Sequence, residues 1–347
     1  MLRCFHPIEK ENYPFVPFKK IIYLCIHQTE LLNHKTMKKY ALTVFILTAS
    51  LCIQAQNLFV ATYNLRYDNE DDRQEGNGWT KRCQVICDFL NFEQPDIFGT
   101  QEGLKHQLED LKRGLDQYDY IGIGREDGKE QGEHSAIFYK KDKLKCLDKG
   151  NFWLNETPEK PVLGWDAACV RICTWGKFRD WKTNLTFYFF NLHMDHVGVI
   201  ARREAAKLVI KKIKEIAGNN APVILTGDFN VDQHDEIYKI FSESGILKDS
   251  YVAAKHRFAE NGTFQDFDSS MKSESRIDHI FVSNKFEVNN YAIHTDAYWT
   301  ANEKMPKLKS GNAPKELEFQ QYTHRLPSDH YPVLAKIRYE KYGTCKF

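Results

Sequence analysis

The sequence predicts an α/β (α+β) fold: one domain of mixed, mostly antiparallel sheet with helices packed against it. Three observations carry that expectation. Short runs alternate apolar and polar residues, as in 57–65 (NLFVATYNL), the pattern of an antiparallel sheet with one buried face. Between them lie segments with helical spacing, clearest at 201–217, where Ala205, Leu208, Val209, Ile213 and Ile216 share a face. The chain of 347 residues is 42% hydrophobic and 27% charged, enough for a sizeable core, and no linker divides residues 57–347.

In chain order, the strand at 57–65 delivers Asn64 near its end, and the acidic, Gly-containing stretch 67–78 reads as a loop. Val85, Ile86, Phe89 and Leu90 mark a helix over 80–92. A short strand at 96–101 leads to Glu102, and Leu104, Leu108, Leu111 and Leu115 mark the next helix. Strands are expected at 118–123 and 135–139, then at 150–154, 169–175 and 186–193. Segment 176–184, with Lys177, Arg179, Trp181 and Lys182, reads as the exposed tip of a hairpin. The helix at 201–217 stops at Gly218 and leads into the apolar run 222–225, after which the chain turns at Gly227 and presents Asp228 and Asn230. A further helix falls at 237–241, and late strands at 277–282 and 331–337. The long, Lys-bearing loop 296–327 and the 176–184 tip are the expected specificity elements, because long loops in compact domains are functional or mobile.

Residues 1–55 do not read as fold. Met37-Lys-Lys opens a basic region, residues 40–51 are apolar, and Ile53-Gln-Ala55 resembles a small-residue cleavage site. This is the layout of a signal peptide starting at Met37 and cut after Ala55, behind an upstream extension. The apolar run is short for a bilayer span, although a membrane-anchoring helix is the alternative. The expected location is therefore secreted or periplasmic, with no stable membrane insertion after cleavage and a monomeric state. The cut leaves 41 basic and 44 acidic residues, net −3, against 48 and 47 in the whole chain. That balance argues against a tight grip on long nucleic acid. Of nine cysteines, Cys83, Cys87, Cys146, Cys169, Cys173 and Cys345 remain; none forms a CxxC pair, and buried free thiols are expected.

Polar residues then recur at strand ends. Asn64 follows the first strand and Glu102 the second. His193 and Asp195 stand in Asn191-Leu-His-Met-Asp, Asp228 and Asn230 in Gly227-Asp-Phe-Asn. Asp278 and His279 open a strand in RIDHIFVS, and Asp329 and His330 precede the last one in SDHYPV. Gly227–Asn230 alone is a turn, and Asp278 alone could pair with Arg276. Together they form a constellation suited to phosphate chemistry.

The words YNLR (63–66), QE (101–102), NLHMD (191–195), GDFN (227–230), RIDHIFVS (276–283) and SDHYPV (328–333), in this order over about residues 57–339, resemble the endonuclease/exonuclease/phosphatase superfamily. It includes deoxyribonucleases, apurinic endonucleases, sphingomyelinases, inositol polyphosphate phosphatases and deadenylases. The resemblance implies a four-layered α/β/β/α sandwich of two packed mixed, mostly antiparallel sheets, and a metal-dependent hydrolase acting on a phosphoester. The implied cofactor is Mg²⁺, with Mn²⁺ as the alternative. Glu102 would be the first metal ligand and Asp329 a second. Asn64 would help position the phosphate or the water. Asp228 would orient or deprotonate the attacking water, and Asn230 would hydrogen-bond a phosphate oxygen. His330 would contact the phosphate, with Asp278 fixing its tautomer, and His193 would bind non-bridging oxygens. Asp195 would assist His193 on the substrate or only cap the following loop. Arg66 stands where apurinic endonucleases carry Asp, against a repair role, and His279 where Tyr or Phe is usual. The leading expectation is a phosphodiesterase of nuclease or 3′–5′ exonuclease type. The alternatives are a phospholipid or sugar-phosphate hydrolase, or a non-catalytic binding module on the same fold.

Overall fold

The strand β1 (Gln56–Asn64) alternates Leu58 and Val60 on one face with Ala61 and Tyr63 on the other, and all four are buried, each pair in a different apolar cluster. A strand buried on both faces needs a layer on each side, and the architecture supplies them. The computed structural model describes residues 56–339. The proposed signal peptide and Cys345 lie outside them.

A seven-stranded sheet runs in the order β10 (His256–Phe258), β12 (Phe286–Ile293), β15 (Val333–Tyr339), β1, β2 (Ile97–Gln101), β4 (Ile137–Lys140) and β3 (Tyr118–Ile121). A six-stranded sheet follows β5 (Leu144–Trp153), β6 (Ile172–Asp180), β7 (Thr186–His193), β8 (Val223–Asp228), β11 (Asp278–Ser283) and β9 (Leu247–Asp249). The pairs β1–β2, β7–β8 and β10–β12 are parallel and the others antiparallel. The sheets pack face to face around Val60, Ile97, Phe187, Phe189, Ile224, Ile280 and Val333. Helices α2 (Trp79–Glu93) and α3 (Lys105–Gly114) cover the outside of the first sheet, burying Ile86, Leu90, Leu108 and Leu111. Helix α4 (Val199–Ala217) and helix α5 (Glu236–Ser242) cover the second with Val209, Ile213, Ile237 and Phe241. This is the four-layered sandwich, and it belongs to one unit, Ala55–Phe347.

Several boundaries differ from the sequence expectation. The acidic stretch after β1 contains a short helix, α1 (Glu70–Gln74), because Asn69 caps it by accepting from the Asp72 amide at 2.9 Å. β6 continues through Asp180, since Phe178 buries its ring between the sheets and pairs with Phe187; the hairpin tip shortens accordingly. β12 escapes a periodicity test because a bulge between Val288 and Asn290 shifts its alternation. Segment 296–327 carries a two-stranded ribbon, β13 (Tyr298–Ala301) with β14 (Tyr322–Arg325). Cys83, Cys87, Cys146, Cys169 and Cys173 are all unpaired.

A polar seam interrupts the apolar core between the sheets. Gln101 Nε2 donates to Asn191 Oδ1 at 2.7 Å and to Thr62 Oγ1 at 3.0 Å, and Thr226 Oγ1 donates to Asn191 Oδ1 at 3.0 Å. Asn191 Nδ2 donates to the carbonyls of Thr100 and Ala136. These links join β1, β2, β7 and β8 one or two residues below the strand ends that carry the polar constellation. Gly99 permits them, because a Cβ there would strike the Asn191 carboxamide.

Candidate active site

Register brings the site together. His193 and Asp228 are partners across the parallel pair β7–β8, Asp228 and Asp278 across the antiparallel pair β8–β11, and Asn64 pairs with Gln101, the residue before Glu102. Each strand's apolar run ends at the same edge of the sandwich, where a polar residue can face out of the core. His330 lies just before β15, bridged to Phe264. The bonding groups therefore gather in the crevice beyond the strand ends.

The backbone is bent to serve this edge. Arg66, Glu102 and Asn230 adopt φ of 55°, 63° and 50°, left-handed conformations that cost non-glycine residues energy and cluster at functional sites. At Gly227 the φ of 154° brings the backbone against Leu192, and a Cβ would collide with the Leu192 carbonyl oxygen. Arg82, fully buried on α2, donates to the carbonyls of Leu65 (2.7 Å), Arg66 (3.0 Å), Asn77 (2.6 Å) and Pro327 (2.9 Å). One guanidinium thus ties the turn after Asn64 to the segment that leads into Ser328-Asp329-His330. Ser328 Oγ adds a 2.7 Å bond to the Asn64 carbonyl.

At the centre, Asn64 Nδ2 donates to Glu102 Oε1 and to Asp228 Oδ2, each at 3.0 Å, and lies 3.4 Å from His330 Nε2. His330 Nδ1 is 2.8 Å from Asp278 Oδ2. His193 Nε2 is 3.4 Å from Asp228 Oδ2 and 3.2 Å from Asn230 Nδ2, which also donates to the Met194 carbonyl at 2.9 Å. The Asn230 amide donates to Asp228 Oδ1 at 3.0 Å. Asp329 Oδ2 is 3.4 Å from Arg66 Nη1. Eight of the nine sequence-predicted residues, Asn64, Glu102, His193, Asp228, Asn230, Asp278, Asp329 and His330, fall in this one cluster. Asp195 does not share it. Its oxygens accept from the amides of Ala168 and Cys169 (3.1 Å each), Val197 (2.9 Å) and Gly198 (2.7 Å), so it staples two loops together, the loop-capping alternative. His279 faces the other way, its Nε2 donating to the Val231 carbonyl (3.0 Å) among Phe229, Tyr238 and Phe281. Arg276 pairs with Asp249 at 3.1 Å and leaves Asp278 to His330.

The electrostatics follow from burial. Burial and the neighbouring Asp278 carboxylate push the Asp228 carboxyl up to about 7. Burial, then the Glu102 charge, pushes Asp329 up to about 6 against the opposing pull of His330, Arg66 and Arg82. For His330 burial favours the neutral ring, but Asp278, Asp228 and Asp329 outweigh it and hold it well above the usual imidazole value. Burial, with Arg171 and Arg125 nearby, holds His193 well below that value, so it is a neutral imidazole. Crowded buried carboxylates whose proton affinity has risen are a set that a cation would relieve. Ligand atoms of Glu102, His193 and Asp228 lie within 4.8 Å of one another, so the residues present fit a divalent ion.

A cleft of ≈ 530 Å³ opens over this cluster. Its walls include residues the sequence reading missed: Tyr67, Arg125, Glu133, Cys169, Arg171, His196 and Phe264. Glu133 and Arg125 sit in a polar, Gly-rich loop without periodicity, so no pattern marks them. Arg171 stands directly before the apolar start of β6, the one signal that was available. Nothing from 296–327 or 176–184 lines this cleft, so the structure does not place the expected specificity elements at its wall.

The sequence profile of the Endonuclease/Exonuclease/phosphatase family matches residues 61–330, which takes in every residue of the cluster. The chain belongs to that family. Members of this family are hydrolases that act on phosphoester bonds and typically use divalent metals. A solved family member from Bacteroides thetaiotaomicron is 49% identical, with a TM-score of 0.77 over 83% of this chain and 99% of that one. A mannosyl-6-phosphatase from the same organism is 50% identical, with a TM-score of 0.74 over 81% of this chain and 99% of that one. The CCR4-Not complex 3′-5′-exoribonuclease subunit of Debaryomyces hansenii is 25% identical over 61% of this chain, which spans only 28% of that protein's length.

Proposed function

We propose that this protein is an exported, divalent-metal-dependent phosphatase that hydrolyses a sugar phosphate monoester. The observation that carries the reading is the 50% identity, over 99% of its length, to a mannosyl-6-phosphatase. It moves the choice among phosphoesters from a nucleic-acid diester to a sugar monoester. The net charge of −3 after residue 55 supports the same choice, since a long polyanion would be repelled.

A divalent ion held at Glu102, whose carboxylate has Asp228 and His193 within ligand reach, would supply Lewis-acid neutralisation of the phosphate charge, with Asp329 proposed as a second acidic ligand. Asp228, with a proton affinity near neutral, orients the water and takes its proton as the new P–O bond forms. The ester P–O bond breaks, and the leaving sugar oxygen takes the proton carried by His330 and departs as the hydroxyl, while the water's proton stays on Asp228. Asp278 accepts from His330 Nδ1 and holds the ring toward the phosphate. Neutral His193 and the Asn230 carboxamide hydrogen-bond non-bridging oxygens, whose charge grows in the transition state. Asn64 keeps Glu102 and Asp228 in register.

The test is phosphate release by the purified protein with Mg²⁺ from mannose 6-phosphate, glucose 6-phosphate, an oligonucleotide and bis(p-nitrophenyl) phosphate. A hexose 6-phosphate is expected to be the best substrate, by about tenfold or more in kcat/KM. Faster turnover of either diester would return the assignment to a phosphodiesterase. Export is tested by sequencing the N-terminus of the mature protein, which is expected to begin at Gln56, and monomer by gel filtration.

A further inference from the structure

Behind His193, on the side away from Asp228, the cleft has a second polar wall that the phosphate chemistry does not use. Arg125 Nη1 donates to Glu133 Oε2 at 2.5 Å, and the two side chains are 11% and 16% exposed. Arg171, 6% exposed, reaches Asp195 Oδ2 with Nε at 3.5 Å and His196 Nδ1 with Nη2 at 3.0 Å. All are immobilised from behind. The Trp153 indole donates to the Arg125 carbonyl at 2.8 Å, the Arg125 amide donates to the Glu133 carbonyl at 3.0 Å, and Asp195 is fixed by four backbone amides.

Each guanidinium carries five N–H donors. Arg125 Nη2 and Arg171 Nη1 make no hydrogen bond to the described residues, although both side chains line the cleft. Buried, pre-positioned donors beside a carboxylate are complementary to hydroxyl groups, which donate and accept at once. A second phosphate would want arginines whose charge is free, and here Arg125 is already paired with Glu133 and Arg171 with Asp195. A nucleobase would want an aromatic face to stack on, and the aromatic residues of the cleft, Tyr67 and Phe264, stand against Arg66 and His330 instead.

The wall starts one imidazole from the reacting phosphate. Glu133 Oε2 is 3.8 Å from His193 Nδ1, whose Nε2 faces Asp228. That is where the ring of a phosphorylated sugar would extend.

We propose that Arg125, Glu133 and Arg171 form a hydroxyl-reading subsite that selects a neutral polyhydroxylated leaving group. This rests on the sugar-phosphatase reading above and specifies how that site chooses its substrate. The consequence is asymmetric. A site built to bond hydroxyls rejects analogues that lack them, because its buried polar groups are then left unpaired.

The experiment compares kcat/KM for mannose 6-phosphate and for p-nitrophenyl phosphate, which offers no hydroxyls, in wild type, Glu133→Gln and Arg125→Lys. The ratio of the two substrates is the readout, and thermal unfolding confirms that each variant is folded. Wild type is expected to favour the sugar, and at least one folded variant to lose that preference by about tenfold or more, mainly through KM for the sugar. A wild type that prefers the sugar, with ratios unchanged in both variants, overturns the subsite and leaves the sugar-phosphatase reading standing. A wild type with no preference for the sugar overturns both. If both variants unfold, Arg171→Lys is read in the same way. A ratio preserved there also overturns the subsite.

Discussion

Asp228 Oδ2 sits at the meeting point of three contacts: the Asn64 carboxamide at 3.0 Å, His193 at 3.4 Å and His330 at 3.7 Å. Its neighbour Asp278 shapes the site at one remove, through His330. Asp278→Asn keeps the size but removes the charge that holds His330 protonated. The expected result is a loss in kcat of about 10²-fold with little change in KM, read by steady-state kinetics. A kcat within about threefold of wild type would contradict the role given to His330. Asp195 is a structural carboxylate and makes a different prediction. Burial raises its pKa, but four backbone donors outweigh this and hold it at about 2. A folded value below the ordinary carboxylate value contributes stability that is complete above about pH 4 and lost as pH falls through about 2. Asp195→Asn should therefore cost about 2 kcal/mol at neutral pH, with the difference from wild type shrinking in acid, measured by urea unfolding. A difference that does not vary with pH would show that the carboxylate's charge plays no part.

The site residues were legible in the sequence because each stands at or beside one end of an apolar strand. A buried run that stops at Asn64, His193 or Asp228 signals where the core gives way to a polar edge. The elements that hold those ends in place were not legible. Arg82 reads as one more charge on an amphipathic helix, yet it is fully buried and chelates four carbonyls from both sides of the site. Asn191 and Gln101 lie inside strands, and their pairing across the two sheets depends on how the layers stack, which no local pattern encodes. β13 is only half-buried on one face and β14 is mostly exposed, so neither four-residue strand carries a buried apolar face to detect. Arg82→Met fills similar space but strands those carbonyls, and the expected cost is about 3 kcal/mol. The urea midpoint should fall and kcat with it, since the turn after Asn64 and the segment before His330 are no longer tied. A stable variant with full activity would remove Arg82 from the account.

For the whole molecule, two sheets converge their strand ends on one edge, and the cleft above it holds a phosphate-handling centre on one side of His193 and an arginine–glutamate wall on the other. The four-layered sandwich came from the resemblance of six short words, not from periodicity, which saw only mixed strands and helices. The measurement that tests the central claim most directly is phosphate release from mannose 6-phosphate by wild type and Glu102→Ala, each with Mg²⁺ and with EDTA. The account predicts turnover by wild type with Mg²⁺, its abolition by EDTA, and a loss of about 10²-fold or more in Glu102→Ala that excess Mg²⁺ only partly restores. Full activity in EDTA, or an unimpaired Glu102→Ala enzyme, would contradict it.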